Sequence, residues 1–230
     1  MPQVDIICLA NSRKHGGRCV AGLRVDGSGW LRPVGTLPDG TLFATDYVLA
    51  DGTHAAPMDV IRVGVRAPRP APHQPENWVI DGTTWKLVAR PMGCELISIL
   101  QAAMVRGPGL LGGFSDRVPW SDFQQQTAPA SLAIVAPDTI ELHSQPTPRG
   151  KVQARGRFSL GVDRRTHVYD LPITDPRWEG VASQLQQPCT LQQAKGRFVL
   201  IISLGEPFEQ YCYKLIAAVI LLPLNIASRL

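Results

Sequence analysis

Hydrophobic and polar positions alternate along much of this chain at the two-residue period of a β-strand. The clearest case is KVQARGRFSL, residues 151 to 160. Lys151, Gln153, Arg155, Arg157 and Ser159 share one face, and Val152, Ala154, Gly156, Phe158 and Leu160 share the other. One face is core and the other is a row of hydrogen-bond donors. Shorter runs of the same kind fill the N-terminal third: VDIICLAN, RCVAGLRV and GWLRPVG around a DGSG turn, DVIRVGVR, then WVID and TWKLVA joined across Asp81 and Gly82. Asp-Gly pairs between such runs are hairpin signals, and the proline-rich RAPRPAPHQPENW cannot continue a central strand. A small barrel is therefore predicted over residues 1–91.

The period then changes. Leu96, Ile99, Leu100, Ala103 and Met104 recur at helical spacing between residues 95 and 106, and Gly107 ends the pattern. The glycine-rich GPGLLGGFS and polar DFQQQTAPAS that follow read as loop, so residues 92–130 are expected to be a helix and linker. From residue 131 the order of elements is more informative. LAIVAPDTIELHS supplies a bent first strand, KVQARGRFSL a second and THVYDLPI a third. Asp175 and Pro176 then cap a helix carrying Trp178, Val181, Ala182 and Leu185 on one stripe, and RFVLIISL and QYCYKLIAAVIL supply a fourth and a fifth strand. Five strands with a helix between the third and fourth is the order of an OB barrel, predicted here over 131–230 with a C-terminal tail.

Composition changes this picture little. With 44% hydrophobic residues in 230, the chain has ample material for a core, and disorder is not the default. A net charge of +4 is too small to define a polyanion surface by itself. Local clustering does more: Arg149, Lys151, Arg155, Arg157, Arg164 and Arg165 stand against the single acid Asp163. Cys8, Cys19, Cys94, Cys189 and Cys212 have no ligand-spaced neighbours, so no metal or other cofactor is expected, and reduced thiols imply a cytoplasmic setting. Cys8 and Cys212 lie in apolar strands and read as core. LIAAVILLPLNIA, broken by Pro223, is too short to span a bilayer, so no membrane partner is expected.

Four polar clusters interrupt the hydrophobic pattern: NSRKHGGRC at 11 to 19, GWLRPV at 29 to 34, PHQPENW at 72 to 78 and SLGEPFEQYCYKL at 203 to 215. In this order and spacing they resemble the bacterial dual OB-containing domain family over nearly the whole chain. The resemblance implies a mostly β protein with a few helices, built as two OB-like five-stranded barrels packed together. It also implies nucleic-acid binding without an established reaction.

The residues themselves leave three readings. In the first, RNA or DNA binds basic barrel faces through Arg13, Lys14 and Arg18 near one turn and Lys151, Arg155, Arg157, Arg164 and Arg165 on the second barrel. In this reading the second and third strands form the binding surface, and Tyr211 and Tyr213 add a stacking platform if their face points outward. The second reading is an adaptor that docks an acidic protein partner in a larger bacterial system. The third is an enzyme or a small-ligand or nucleotide sensor with a pocket between the barrels, lined by Asn11, Arg13, Arg32, His73, Asn77 and Glu206. Catalysis is not expected, because His73 and Glu76 lack a nucleophile or metal at a recognisable spacing.

Overall fold

The computed structural model describes residues 2–90, 95–105, 107–147, 150–162, 165–192 and 198–222, with the backbone alone at 95–97, 162, 165 and 191–192. Arg149 and Arg164, Cys94 and the tail from 223 lie outside the described residues.

The first barrel is built around β1 (Gln3–Lys14), which pairs antiparallel with both β2 (Gly17–Arg24) and β4 (Val60–Pro68). β2 pairs with β3 (Trp30–Val34), β3 runs parallel to β5 (Asn77–Ile80), and β5 returns to β4. The ring 1-2-3-5-4-1 closes an OB barrel. A short helix, α1 (Ala44–Tyr47), lies between β3 and β4. The expected hairpin at Asp81-Gly82 does not form. Asp81 Oδ1 instead accepts from the Thr83 amide at 2.9 Å, and after this local turn the chain runs on along the same edge of β4, where β6 (Lys86–Ala89) pairs beyond β5.

The second barrel repeats the strand order of the ring, but as two sheets and without the same full closure. Its expected bent first strand breaks at residues 136–138 into β8 (Leu132–Val135) and β9 (Thr139–Pro146). β9 pairs with β10 (Val152–Val162), which pairs with β11 (Arg165–Pro172). β8 pairs with β13 (Phe198–Phe208), which pairs with β14 (Tyr211–Leu221). A parallel bridge between Ile173 and Ile216 joins the two sheets, and β12 (Cys189–Gln192) adds an edge to β9. Between β11 and β12 lies α4 (Pro176–Ser183), whose cap is the one expected. Asp175 Oδ1 accepts from the Arg177 amide at 3.0 Å, Asp175 Oδ2 accepts from the Val219 amide at 3.1 Å, and Trp178 Nε1 donates to the Val219 carbonyl at 2.8 Å. Trp178 and Ala182 are buried, whereas Val181 is exposed.

Residues 107–130, expected as a linker, are fastened to the second barrel. β7 (Arg117–Pro119) pairs with β14 and leads into α3 (Trp120–Gln125). Val118 and Phe123 pack with Leu204 and Cys212. Lys214, fully buried, donates to the carbonyls of Gly113 at 3.0 Å and Ser115 at 2.6 Å, and burial lowers its pKa to about 8. Sequence pattern hides such anchoring because the tethers are single side chains of distant strands.

The barrels share a core, which explains why several strands read as continuous apolar runs rather than alternating ones. In β1, Ile6 and Cys8 face the first barrel's interior while Ile7 and Leu9 face the second barrel. In β13, Phe198, Leu200 and Ile202 face inward while Val199 and Ile201 lie in the same cluster as Ile7 and Leu9 of β1. Leu100 of α2 (Glu95–Ala103) is buried in the same shared cluster. None of the described helices is long and apolar enough to cross a membrane.

Candidate functional site

The four polar clusters, up to 192 positions apart, converge on the seam between the barrels. The first forms the tip of the β1–β2 hairpin. Asn11 and Ser12 do not turn the chain; they stay in register with Val20 and Cys19, and the turn is His15-Gly16. Both turn residues have positive φ, 44° and 83°, the conformation that a two-residue hairpin loop requires and that glycine adopts without a side-chain clash. The hairpin reaches the second barrel, where the Arg13 amide donates to the Thr174 carbonyl at 2.8 Å and Arg13 Nε lies 2.6 Å from Glu179 Oε2. Lys14 Nζ donates to Glu206 Oε1 at 2.7 Å and to the Asp39 carbonyl.

Behind this tip lies a buried polar knot. Arg32, 2% exposed, donates through Nε to Glu76 Oε1 at 3.1 Å, through Nη1 to Cys19 Sγ at 2.8 Å, and through Nη2 to Ser131 Oγ at 2.7 Å and Ser203 Oγ at 3.2 Å. Burial works against the guanidinium charge, but Cys19 and Glu76 outweigh it and raise the pKa above its ordinary value. Glu76 also accepts from the Ser131 hydroxyl and amide, and Gln74 Nε2 donates to the Leu204 carbonyl at 3.0 Å. The PHQPEN loop is thus a structural clamp across the seam. His73 is buried against Trp120 and Phe123, neither ring nitrogen has a hydrogen-bond partner, and burial lowers its pKa.

In front of the knot opens a cleft of about 400 Å³. Of the residues expected to line an inter-barrel pocket, Arg13, Arg32 and Glu206 do so; Asn11, His73 and Asn77 do not. Asn11 donates to the Ala55 carbonyl at 3.0 Å and Asn77 to Gln74 at 3.3 Å, both within the first barrel. Arg18 folds back onto the Asn11 carbonyl at 3.5 Å.

At the mouth of the cleft the β13–β14 hairpin turns through Glu209 and Gln210, both at positive φ, with Phe208 opposite Tyr211. Cys212 and Lys214 are fully buried, so the tyrosine face points outward. Phe208 is 51% exposed, its ring centre 6.5 Å from that of Tyr213, which is 6.4 Å from Tyr211. The Arg117 guanidinium lies 4.7 Å from the centre of Tyr211 and 5.6 Å from that of Tyr213. Neither Phe208 nor Arg117 was prominent in the sequence: one closes a turn motif, and the other sits in the expected linker.

An OB strand order present twice, with its polar clusters gathered at one seam, has a counterpart among protein families. The model of the dual OB-containing domain matches residues 4–219. The chain belongs to that family. Comparison with curated protein sequences finds no match. In this dual OB chain the basic row of the second barrel stands apart from the seam cleft, and its charge is partly cancelled. Arg155 Nε donates to Asp170 Oδ1 at 2.7 Å, and its Nη1 donates to Gln153 at 3.0 Å. Arg157, exposed, stands between Glu141 and Asp170 on the neighbouring strands, and Lys151 is exposed. The acids came from β9 and β11, which the alternation within β10 could not reveal. Arg165 lies at the start of β11, its side chain outside the described residues.

Proposed function

We propose that this dual OB chain is a non-catalytic module that binds single-stranded RNA or DNA at the seam between its barrels. The observation that carries the reading is the outward face of the β13–β14 hairpin. Phe208, Tyr211 and Tyr213 present aromatic rings beside Arg117 and next to a cleft. Successive bases stack on such rings whatever their identity, and neighbouring cations meet the phosphates. The hairpin loops at this seam, β1–β2 of one barrel and β13–β14 of the other, correspond to the loops with which OB barrels hold oligonucleotides. The β10 face is the weaker candidate, because Asp170 and Glu141 offset Arg155 and Arg157.

The non-catalytic part of this reading draws its support from His73 and Glu76. His73 is sealed among aromatic rings, and Glu76 is committed to Arg32 and Ser131, so neither offers an accessible acid or base. Filter binding with single-stranded and duplex DNA and RNA at two salt concentrations tests the proposal. Single strands are expected to bind more tightly, with log affinity falling against log salt by about 0.7 per phosphate contacted. Absence of single-strand binding, or equal affinity for duplex, overturns it.

A further inference from the structure

The cleft beside the platform has apolar walls and a polar edge, to which Arg13, His15, Gln74 and Ser203 contribute besides Lys14 and Glu206. Leu204, Pro207, Leu215 and Ala217 form walls, with Phe208 and Tyr213 at the mouth. On the polar edge an ammonium from one barrel and a carboxylate from the other stand side by side, Lys14 Nζ being 2.7 Å from Glu206 Oε1. Neither group is saturated. An ammonium has three N–H groups, and Lys14 donates to the Asp39 carbonyl and to Glu206. A carboxylate has about four acceptor positions. Glu206 Oε1 receives Lys14, while Oε2 has His15 Nε2 at 3.6 Å, beyond hydrogen-bond distance.

Resting on the single-strand reading above, we infer that this cleft takes one nucleobase and selects guanine. The Watson–Crick edge of guanine sets two adjacent donors, N1–H and the 2-amino group, beside the O6 acceptor. That order matches a carboxylate beside an ammonium: Glu206 accepts both donors and the remaining Lys14 N–H reaches O6. Adenine and cytosine offer the carboxylate a single amino group, and uracil a single N–H between two carbonyls, so each leaves part of the polar edge unpaired in a partly buried site. Phe208 and Tyr213 supply the stacking surface that any base uses, and the Lys14–Glu206 edge supplies the choice.

Calorimetric titration with guanosine, adenosine, cytidine, uridine and inosine monophosphates tests this. Guanosine monophosphate is expected to bind about fivefold to a hundredfold more tightly than the adenosine, cytidine and uridine nucleotides, the range of one bidentate base contact. Inosine monophosphate, lacking only the 2-amino group, is expected to bind more weakly than the guanosine nucleotide, a comparison made on the parent protein alone. Glu206→Gln should bring the guanosine nucleotide down to the others. Equal affinities, or inosine binding as tightly as guanosine, overturn the inference. Homopolymer strands titrated in parallel separate the two claims: strands that bind with no preference for guanine defeat the base selection alone. Selective binding of guanosine monophosphate by a protein that binds no strand defeats the platform reading and leaves the cleft site standing.

Discussion

Arg32 and Glu76 illustrate how charge is handled at the seam. Each has a nearly buried side chain, 3% and 5% exposed, and each completes its hydrogen bonds with residues of both barrels. Removing one partner strands the other charge away from water. Glu76→Gln is therefore expected to cost about 3–5 kcal/mol in urea unfolding, and a cost below about 1 kcal/mol would contradict the burial argument. His73 makes a different prediction. Its pKa lies below the ordinary value of 6.5 because burial disfavours the imidazolium. Between its lowered value and 6.5 the unfolded chain binds more protons, so the stability His73 contributes is complete above 6.5 and falls away as pH drops below it. The carboxylates of Asp5, Asp26, Asp39, Asp51 and Asp81 have lowered values too, but their stability is lost only below the ordinary 3.8, outside that window. Denaturant midpoints at about pH 7.5 and about pH 5.5 should differ for the parent and draw together in His73→Phe. An unchanged difference in the variant would assign the pH dependence elsewhere.

β10 is the element in which sequence and structure agree most closely and still part on function. Its alternation puts Ala154, Phe158 and Leu160 in the core and leaves Arg157 and Ser159 exposed, as the two-residue period requires, but Val152, expected on the core face, is 61% exposed at the start of the strand. Phe158→Ala is expected to destabilise by about 3–5 kcal/mol, since Phe158 is 2% exposed and its ring centre lies 5.7 Å from that of Tyr169. Thermal or urea unfolding measures this, and a loss below about 1 kcal/mol would place Phe158 outside the core. What alternation within one strand does not contain is the neighbouring strand. Asp170 and Glu141 lie opposite Arg157 through backbone register, and register is set by long-range pairing. The cap of α4 was legible because Asp175, Pro176 and Trp178 are local to one another. The Asp81-Gly82 turn was misread because the signal marks only a local break in a strand, and long-range pairing decides that the chain runs on along β4 instead of folding back.

Across the whole molecule, the repeated OB strand order was legible in the succession of elements and the four polar clusters; how the barrels join was not. Ile7, Leu9, Val199 and Ile201 form one continuous interface, and apolar runs in sequence do not say which face meets which partner. A consequence is cooperative unfolding. Calorimetry should give a single transition for the full chain, because separating the barrels exposes that shared cluster along with the Arg32 knot. Two resolved transitions would show that the barrels are independent. The seam also gathers the binding features. The decisive measurement is single-strand affinity of Phe208→Ala/Tyr213→Ala set against Lys151→Gln/Arg157→Gln. Loss of stacking is expected to weaken binding by about 1–3 kcal/mol per base, with the fold retained because Phe208 is half exposed. The β10 pair should change affinity far less. If instead the aromatic variant binds like the parent and the β10 variant loses binding, the platform is not the nucleic-acid surface.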